Sequence, residues 1–157
     1  MQGFKLYLES QTEEEKNVQA LIKKLPKEHQ KLLDGYKFKY QSGNTLKGDN
    51  GHIGVIFKNK ITVAAPWNYG REFTTLHECA HLIFEKLMTT QLKKDWADLI
   101  KKTISKQIKD NPKNKSALKQ NDEELFCMAY AATYAKHSSK TYLNVEWQEF
   151  IKYKVPH

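Results

Sequence analysis

His77-Glu78-Cys79-Ala80-His81 is the segment of this sequence whose residue types and spacing are equipped for chemistry. In an α-helix, residues four apart lie one above the other, so His77 and His81 can direct both imidazoles at a single cation. Zinc takes neutral imidazole nitrogen at about 2.0–2.1 Å and prefers four ligands in a tetrahedron; a catalytic zinc keeps one place for water. Glu78 projects to the side, near that water, where it would take the proton and deliver it to a leaving amine. The ordinary alternative is a pair of buried, hydrogen-bonded core histidines. The apolar stripe Phe73, Leu76, Ala80 and Phe84 on the same helix supplies the amphipathic context that an HExxH motif needs, and favours the metal.

A third protein ligand is required. The pattern HExxHxxGxxH is ruled out, because Phe84 and Leu87 stand where its glycine and third histidine belong. Asp122-Glu123-Glu124 opens a later apolar helical run. Acidic residues at a helix start are also ordinary capping and dipole choices. Glu124 is singled out because it shares a helical line with Met128, Ala131 and Ala135, a small-residue face able to pack beside the metal helix. Glu123 falls in line with Cys127, Tyr130 and Tyr134 instead. His29, His52, His137 and His157 are weaker candidates, each read first as a surface or core histidine. Cys79 and Cys127 read as core residues, with a thiolate ligand as the lesser alternative.

Several elements must hold these residues in place. Glu13 to Asp34 is expected to be a helical region broken near Pro26 and stopped at Gly35. Tyr36 to Ala65 reads as a small sheet: YKFKY alternates, SGNTLKGDNG is turn-rich, and GVIF and ITVAA flank the hairpin loop Lys58-Asn59-Lys60. The strand around Ile61 to Ala65, just ahead of the metal helix, is expected at a sheet edge, where it could hold an extended peptide. The metal helix runs from Arg71 to about Met88. A second long helical stretch from Thr90 to Gln120 carries Leu92, Trp96, Leu99, Ile100, Ile104 and Ile108, with a break at Asn111-Pro112. A third helix spans Asp122 to about Lys136, and VEWQEFIKY closes the chain as a short helix. The fold class is α+β.

The chain has 157 residues, 39% apolar and 28% charged, with 7 Gly and 4 Pro, which suits one compact domain over 1–157. No apolar run approaches the roughly 20 residues of a membrane span. The opening MQGFKLYLESQTEEE lacks the pattern of a secretory signal, so a cytoplasmic location is expected. Two cysteines are too few for a disulfide framework. A net charge of +8 would suit nucleic acid, but Arg71 is the only arginine, and readers of bases and phosphates rely on bidentate arginine. A lysine-rich solubility surface is the better reading, and the expected partner is a protein or peptide substrate, with no nucleic acid. The sequence leaves the oligomeric state open.

The order of hairpin, FTTLHECAHLIFE helix, long intervening helix and NDEELFCMAYAATYA resembles the catalytic domain of anthrax lethal factor and the related Pro-Pro endopeptidases, zinc peptidases of the glutamate-ligand type. The likeness runs from IKKLPKEHQKLL to VEWQEFIKY. It implies a compact zincin-like metallopeptidase that cuts peptide bonds with a zinc-bound water. His77 and His81 match the histidine ligands, Glu124 the glutamate ligand and Glu78 the general base. Two positions depart from the family pattern. Ala117 stands where relatives carry an oxyanion-stabilising tyrosine, and Met128 where a second glutamate follows the ligand. Tyr69, Tyr130, Tyr134 and Tyr142 are the possible substitutes, each otherwise a packing residue.

REFTTLHECAHL after a short strand is also similar to zinc peptidases that act on phage and mobile-element repressors. In that family the intervening segment is shorter and the ligand helix ends in a Leu-Met-Pro type sequence, absent here. Two rivals come from other classes: a catalytically inactive zincin used as a binding or regulatory module, and a basic nucleic-acid-associated module with an incidental HExxH.

Overall fold

The computed structural model describes residues 16–40, 54–63, 69–136 and 140–157. It is mostly helical with one small three-stranded sheet, compatible with the α+β class. Pro26, at φ −55° and ψ 152°, separates helix α1 over 16–22 from α2, Lys27–Leu33. Its ring fixes φ and it has no N–H to continue a helix, so the break falls where the sequence places it. From α2, His29 and Leu33 enter the core.

Strands β1 (Lys37–Tyr40), β2 (Gly54–Phe57) and β3 (Lys60–Val63) form the sheet in the order β1-β3-β2. β2 and β3 are the expected hairpin, paired antiparallel from Gly54↔Val63 to Phe57↔Lys60. The loop is only Lys58 and Asn59, and Lys58 takes a φ of 55°, the left-handed conformation that two-residue hairpins demand.

The expectation for the strand ahead of the metal helix is overturned. β3 lies in the centre of the sheet, parallel to β1 and antiparallel to β2. Its main-chain groups are taken on both sides, so no extended peptide can add there; Ala64 and Ala65 lie outside the described residues. The physical reason is burial. Ile61 and Val63 are both fully buried, whereas β1 alternates exposed Lys37 and Lys39 with half-buried Phe38 and Tyr40. Lysines belong on a sheet edge, where they discourage further strand addition.

The helical part comprises α3 (Tyr69–Lys86), α4 (Thr90–Asp110), α5 (Lys115–Leu118), α6 (Asp122–Tyr134) and α7 (Val145–Glu149), with a π-helical turn over Phe150–Lys154. Side chains set three of the starts. Thr89 accepts from the Leu92 N–H, Asn121 from Glu124 and Asn144 from Trp147, each satisfying an orphan donor of a first turn. α4 ends at Asp110, just before the expected break, and Pro112 opens a short 3₁₀ turn. The metal helix starts at Tyr69, two residues before Arg71.

The core lies between α3 and α6. Leu76, Cys79, Ala80 and Ile83 of α3 are fully buried, as are Phe126, Ala129, Tyr130 and Ala131 of α6. Alanines on the facing surfaces let the two backbones approach closely. The Trp96 indole of α4 packs edge-on or tilted against Phe126, Trp147 and Phe150 at centroid distances of 5.5, 6.1 and 5.3 Å. Its Nε1–H donates to the Asp122 carbonyl at 2.8 Å, which ties the first turn of α6 to the middle of α4. Among the described residues, no helix is long and apolar enough to cross a membrane.

Candidate metal centre

α3 and α6 run antiparallel. Glu72, in the first turn of α3, accepts a hydrogen bond from the Lys136 N–H just past the end of α6. One helix length away, His81 of α3 meets Glu123 and Glu124 in the first turn of α6. That alignment carries the acidic opening of α6 to the histidine pair, 42 residues away along the chain in the case of His81 and Glu123.

The two imidazoles face one carboxylate. His77 Nε2 lies 3.2 Å from Glu124 Oε2, and His81 Nε2 lies 3.1 Å from Glu124 Oε1. The rings stand nearly perpendicular, at 81°, with centroids 5.0 Å apart. On the inner side is Glu78, buried, with a carboxylate oxygen within 4.8 Å of a ring nitrogen of each histidine. So the structure brings together all four sequence-derived site residues: His77, Glu78, His81 and Glu124.

Two ligands held about 2.05 Å from a zinc at the tetrahedral angle are about 3.3 Å apart. The contacts of 3.1 and 3.2 Å between the Nε2 atoms and the Glu124 oxygens are compatible with that spacing, as with ordinary hydrogen bonds. The donor set, two imidazoles and a carboxylate, is also one that zinc accepts at catalytic sites. The residues present therefore fit a zinc ion, with Glu78, itself within reach of both histidines, alongside as a second carboxylate.

Burial grades the site from a closed inner side to an open rim: the His77 side chain is 12% exposed, His81 24%, Glu124 31% and Glu123 44%. Desolvation pushes the His77 pKa down from 6.5 to about 4, and the neighbouring His81 adds to the effect. His77 is thus a neutral imidazole at physiological pH, the form a metal requires. Its Nδ1 is buried without a hydrogen-bond partner among the described residues.

Both cysteines are core residues, as expected. Cys79 and Cys127 are fully buried, and desolvation raises both thiols well above the ordinary range, Cys127 also feeling Glu124. Neither offers a thiolate. Among the other histidines, His29 is a satisfied core residue: it lies within 2.8 Å of the Tyr130 hydroxyl and 2.7 Å of the Pro156 carbonyl. His157 Nδ1 lies 3.2 Å from the Val155 carbonyl. His52 and His137 lie outside the described residues.

The tyrosine substitutes divide. Tyr130 is fully buried with its hydroxyl on His29, and the Tyr142 hydroxyl donates to the Ala117 carbonyl at 3.4 Å, so both are engaged in packing. Tyr134 ends α6, ten residues beyond Glu124, with its ring on Tyr130 at 4.8 Å. The Tyr69 side chain lies outside the described residues.

Helical spacing alone missed Glu123. Although it shares a line with Cys127 and Tyr130, its side chain reaches across to His81, with Oε1 3.0 Å from Nδ1. The sequence signal was the run of three acids, more than a dipole or cap requires. Comparison of the chain with protein-family models, curated proteins and solved structures found no match.

Proposed function

We propose that the chain is a zinc-dependent metalloendopeptidase with a zincin-like active site, as the lethal factor-like resemblance implies. The observation that carries this reading is the convergence of His77 Nε2 and His81 Nε2 on the two oxygens of Glu124, with Glu78 beside them. His77, His81 and Glu124 would hold the zinc. When bound, it supplies Lewis acidity, lowering the pKa of a water and polarising the scissile carbonyl.

The protein's own groups do the rest. Glu78 takes the proton of the attacking water and passes it to the departing amine. Its buried carboxylate lies beside both imidazoles, within reach of a water held there. The more open rim at Glu123 and Glu124 is the side from which a peptide approaches. With β3 in the sheet centre and Lys37 and Lys39 guarding β1, β2 is the outer strand left for an extended substrate among the described residues.

A specific observation favours a second reading, a zincin that binds without cutting. Ala117 supplies no hydroxyl, and those of Tyr130 and Tyr142 are engaged elsewhere. Elemental analysis of the purified protein, coupled to cleavage of a mixed peptide library, tests both. Near one zinc per chain and cleavage that stops on adding a chelator supports the enzyme. Zinc without chelator-sensitive cleavage supports the binding module, and no zinc overturns both.

A further inference from the structure

The two histidines are supported differently. His77 Nδ1 has no hydrogen-bond partner among the described residues, whereas His81 has a carboxylate at each ring nitrogen: Glu123 Oε1 at 3.0 Å from Nδ1 and Glu124 Oε1 at 3.1 Å from Nε2. We propose that Glu123 is a positioning residue for His81, its carboxylate holding the ring proton on Nδ1 so that the bare Nε2 is turned toward Glu124 and the metal. For its functional meaning this inference rests on the zinc reading above.

A neutral imidazole carries one proton, and the two nitrogens of His81 each face a carboxylate, so Glu123 at Nδ1 and Glu124 at Nε2 compete to hold it. At a metal site that choice matters, since only the bare nitrogen can ligate. A carboxylate on the far nitrogen fixes the tautomer, holds the ring plane and raises the basicity of the ligating atom. Adjacent residues of one helix serve both nitrogens because they diverge by about 100°, and the turn that carries them is clamped. The Asn121 side chain accepts from the Glu124 N–H at 2.8 Å, and Trp96 donates to the Asp122 carbonyl at 2.8 Å. The two carboxylates are therefore aimed by the fold at opposite edges of one ring.

The plain alternative is a surface ion pair. Glu123 is 44% exposed, and such pairs add little to stability. A surface pair and a positioning residue differ in what they do to the metal. Zinc affinity, read by competition with a chelator, should fall about 10- to 100-fold in Glu123→Ala. It should fall less in Glu123→Gln, which keeps an acceptor oxygen in the same place. Asp122→Ala, which removes the same charge from the same turn, should match the wild type. Long-range proton–nitrogen correlation on the zinc-free protein at alkaline pH reads the tautomer directly. The Nδ1–H fraction of His81 should be larger in the wild type and in Asp122→Ala than in Glu123→Ala, where the Glu124 carboxylate at Nε2 is the acceptor that remains.

Equal affinities for Glu123→Ala and Asp122→Ala, or a His81 tautomer unchanged by Glu123→Ala, would overturn the proposal. If the alanine variant melts early, Glu123→Met, of similar length and without an acceptor oxygen, carries the same comparison. Should the wild type take up no zinc, the peptidase reading falls, and the tautomer measurement alone still decides what Glu123 does.

Discussion

Glu72 accepts a hydrogen bond of 2.6 Å from the backbone N–H of Lys136, joining the start of α3 to the chain just beyond the end of α6. Because the helices are antiparallel, this contact and the meeting of His81 with Glu123 and Glu124 lie at opposite ends of one interface. Between these two points both helices are lined with fully buried residues, Leu76, Cys79 and Ala80 on α3 and Phe126, Ala129 and Ala131 on α6. A close-packed interior has two lengths of helix to align and little freedom to slide them. The candidate site is therefore held in register by an apolar seam as well as by the contacts among its own residues.

Glu78→Gln is expected to fold and to bind zinc like the wild type while losing peptidase activity, since Glu78 acts on the water and is not one of the proposed ligands. Zinc content, melting and turnover on a cleaved library peptide check this together. Wild-type turnover in the variant would remove Glu78 from the role of general base.

Glu124→Ala should lose zinc more severely than Glu123→Ala. Glu124 faces both Nε2 atoms, whereas Glu123 touches His81 only at the far nitrogen. Loss of the supporting carboxylate costs about 10- to 100-fold, and loss of a direct ligand should exceed that. Chelator competition on the two variants gives the order; equal affinities would remove Glu124 from the ligand set.

His29 makes stability depend on pH. Burial lowers its pKa from 6.5, the Pro156 carbonyl partly opposing the shift. The folded protein then resists a proton that the unfolded chain accepts. The contribution of His29 to stability should be level above about pH 6.5, fall as pH drops from there toward its lowered folded value, and level off below it, with His77 adding its own decline in parallel. Urea midpoints from about pH 8 to about pH 5 should decline less in His29→Gln than in the wild type. Parallel slopes would exclude His29 as a source.

Thr103→Val should cost about 1–3 kcal/mol, because the buried Trp147 Nε1–H donates to Thr103 Oγ1 at 2.8 Å and would lose its acceptor. Thr133→Val is the control. Thr133 makes the same hydrogen bond to a carbonyl four residues back, at 2.7 Å, but no indole depends on it, so a change within about 0.5 kcal/mol is expected. Chemical denaturation of both variants measures the difference.

What was legible in the amino-acid order was local. The four-residue spacing of His77 and His81 sets both on one face of any helix that contains them, whatever packs against it. Pro26 and Pro112 break helices through their own covalent geometry, and Asn121 caps α6 through a side chain three residues from the N–H it accepts. Even Glu124 could be singled out by its small-residue line.

The tertiary structure decided what depends on long separations. Strand order is one case. The pairing of β3 with β1 on one side and β2 on the other is chosen by which strand buries best in the middle. The lysines of YKFKY and the unbroken ITVAA already carried that signal, but neighbouring strands are not adjacent in sequence and local periodicity does not rank them. Glu123 is the other case. Its helical line points to Cys127 and Tyr130, yet a glutamate has three rotatable bonds, and its carboxylate goes where the antiparallel packing of α3 and α6 presents a ring nitrogen, 3.0 Å away on His81. Spacing along one helix determines the direction in which a side chain leaves the backbone; only the second helix determines what it finds there.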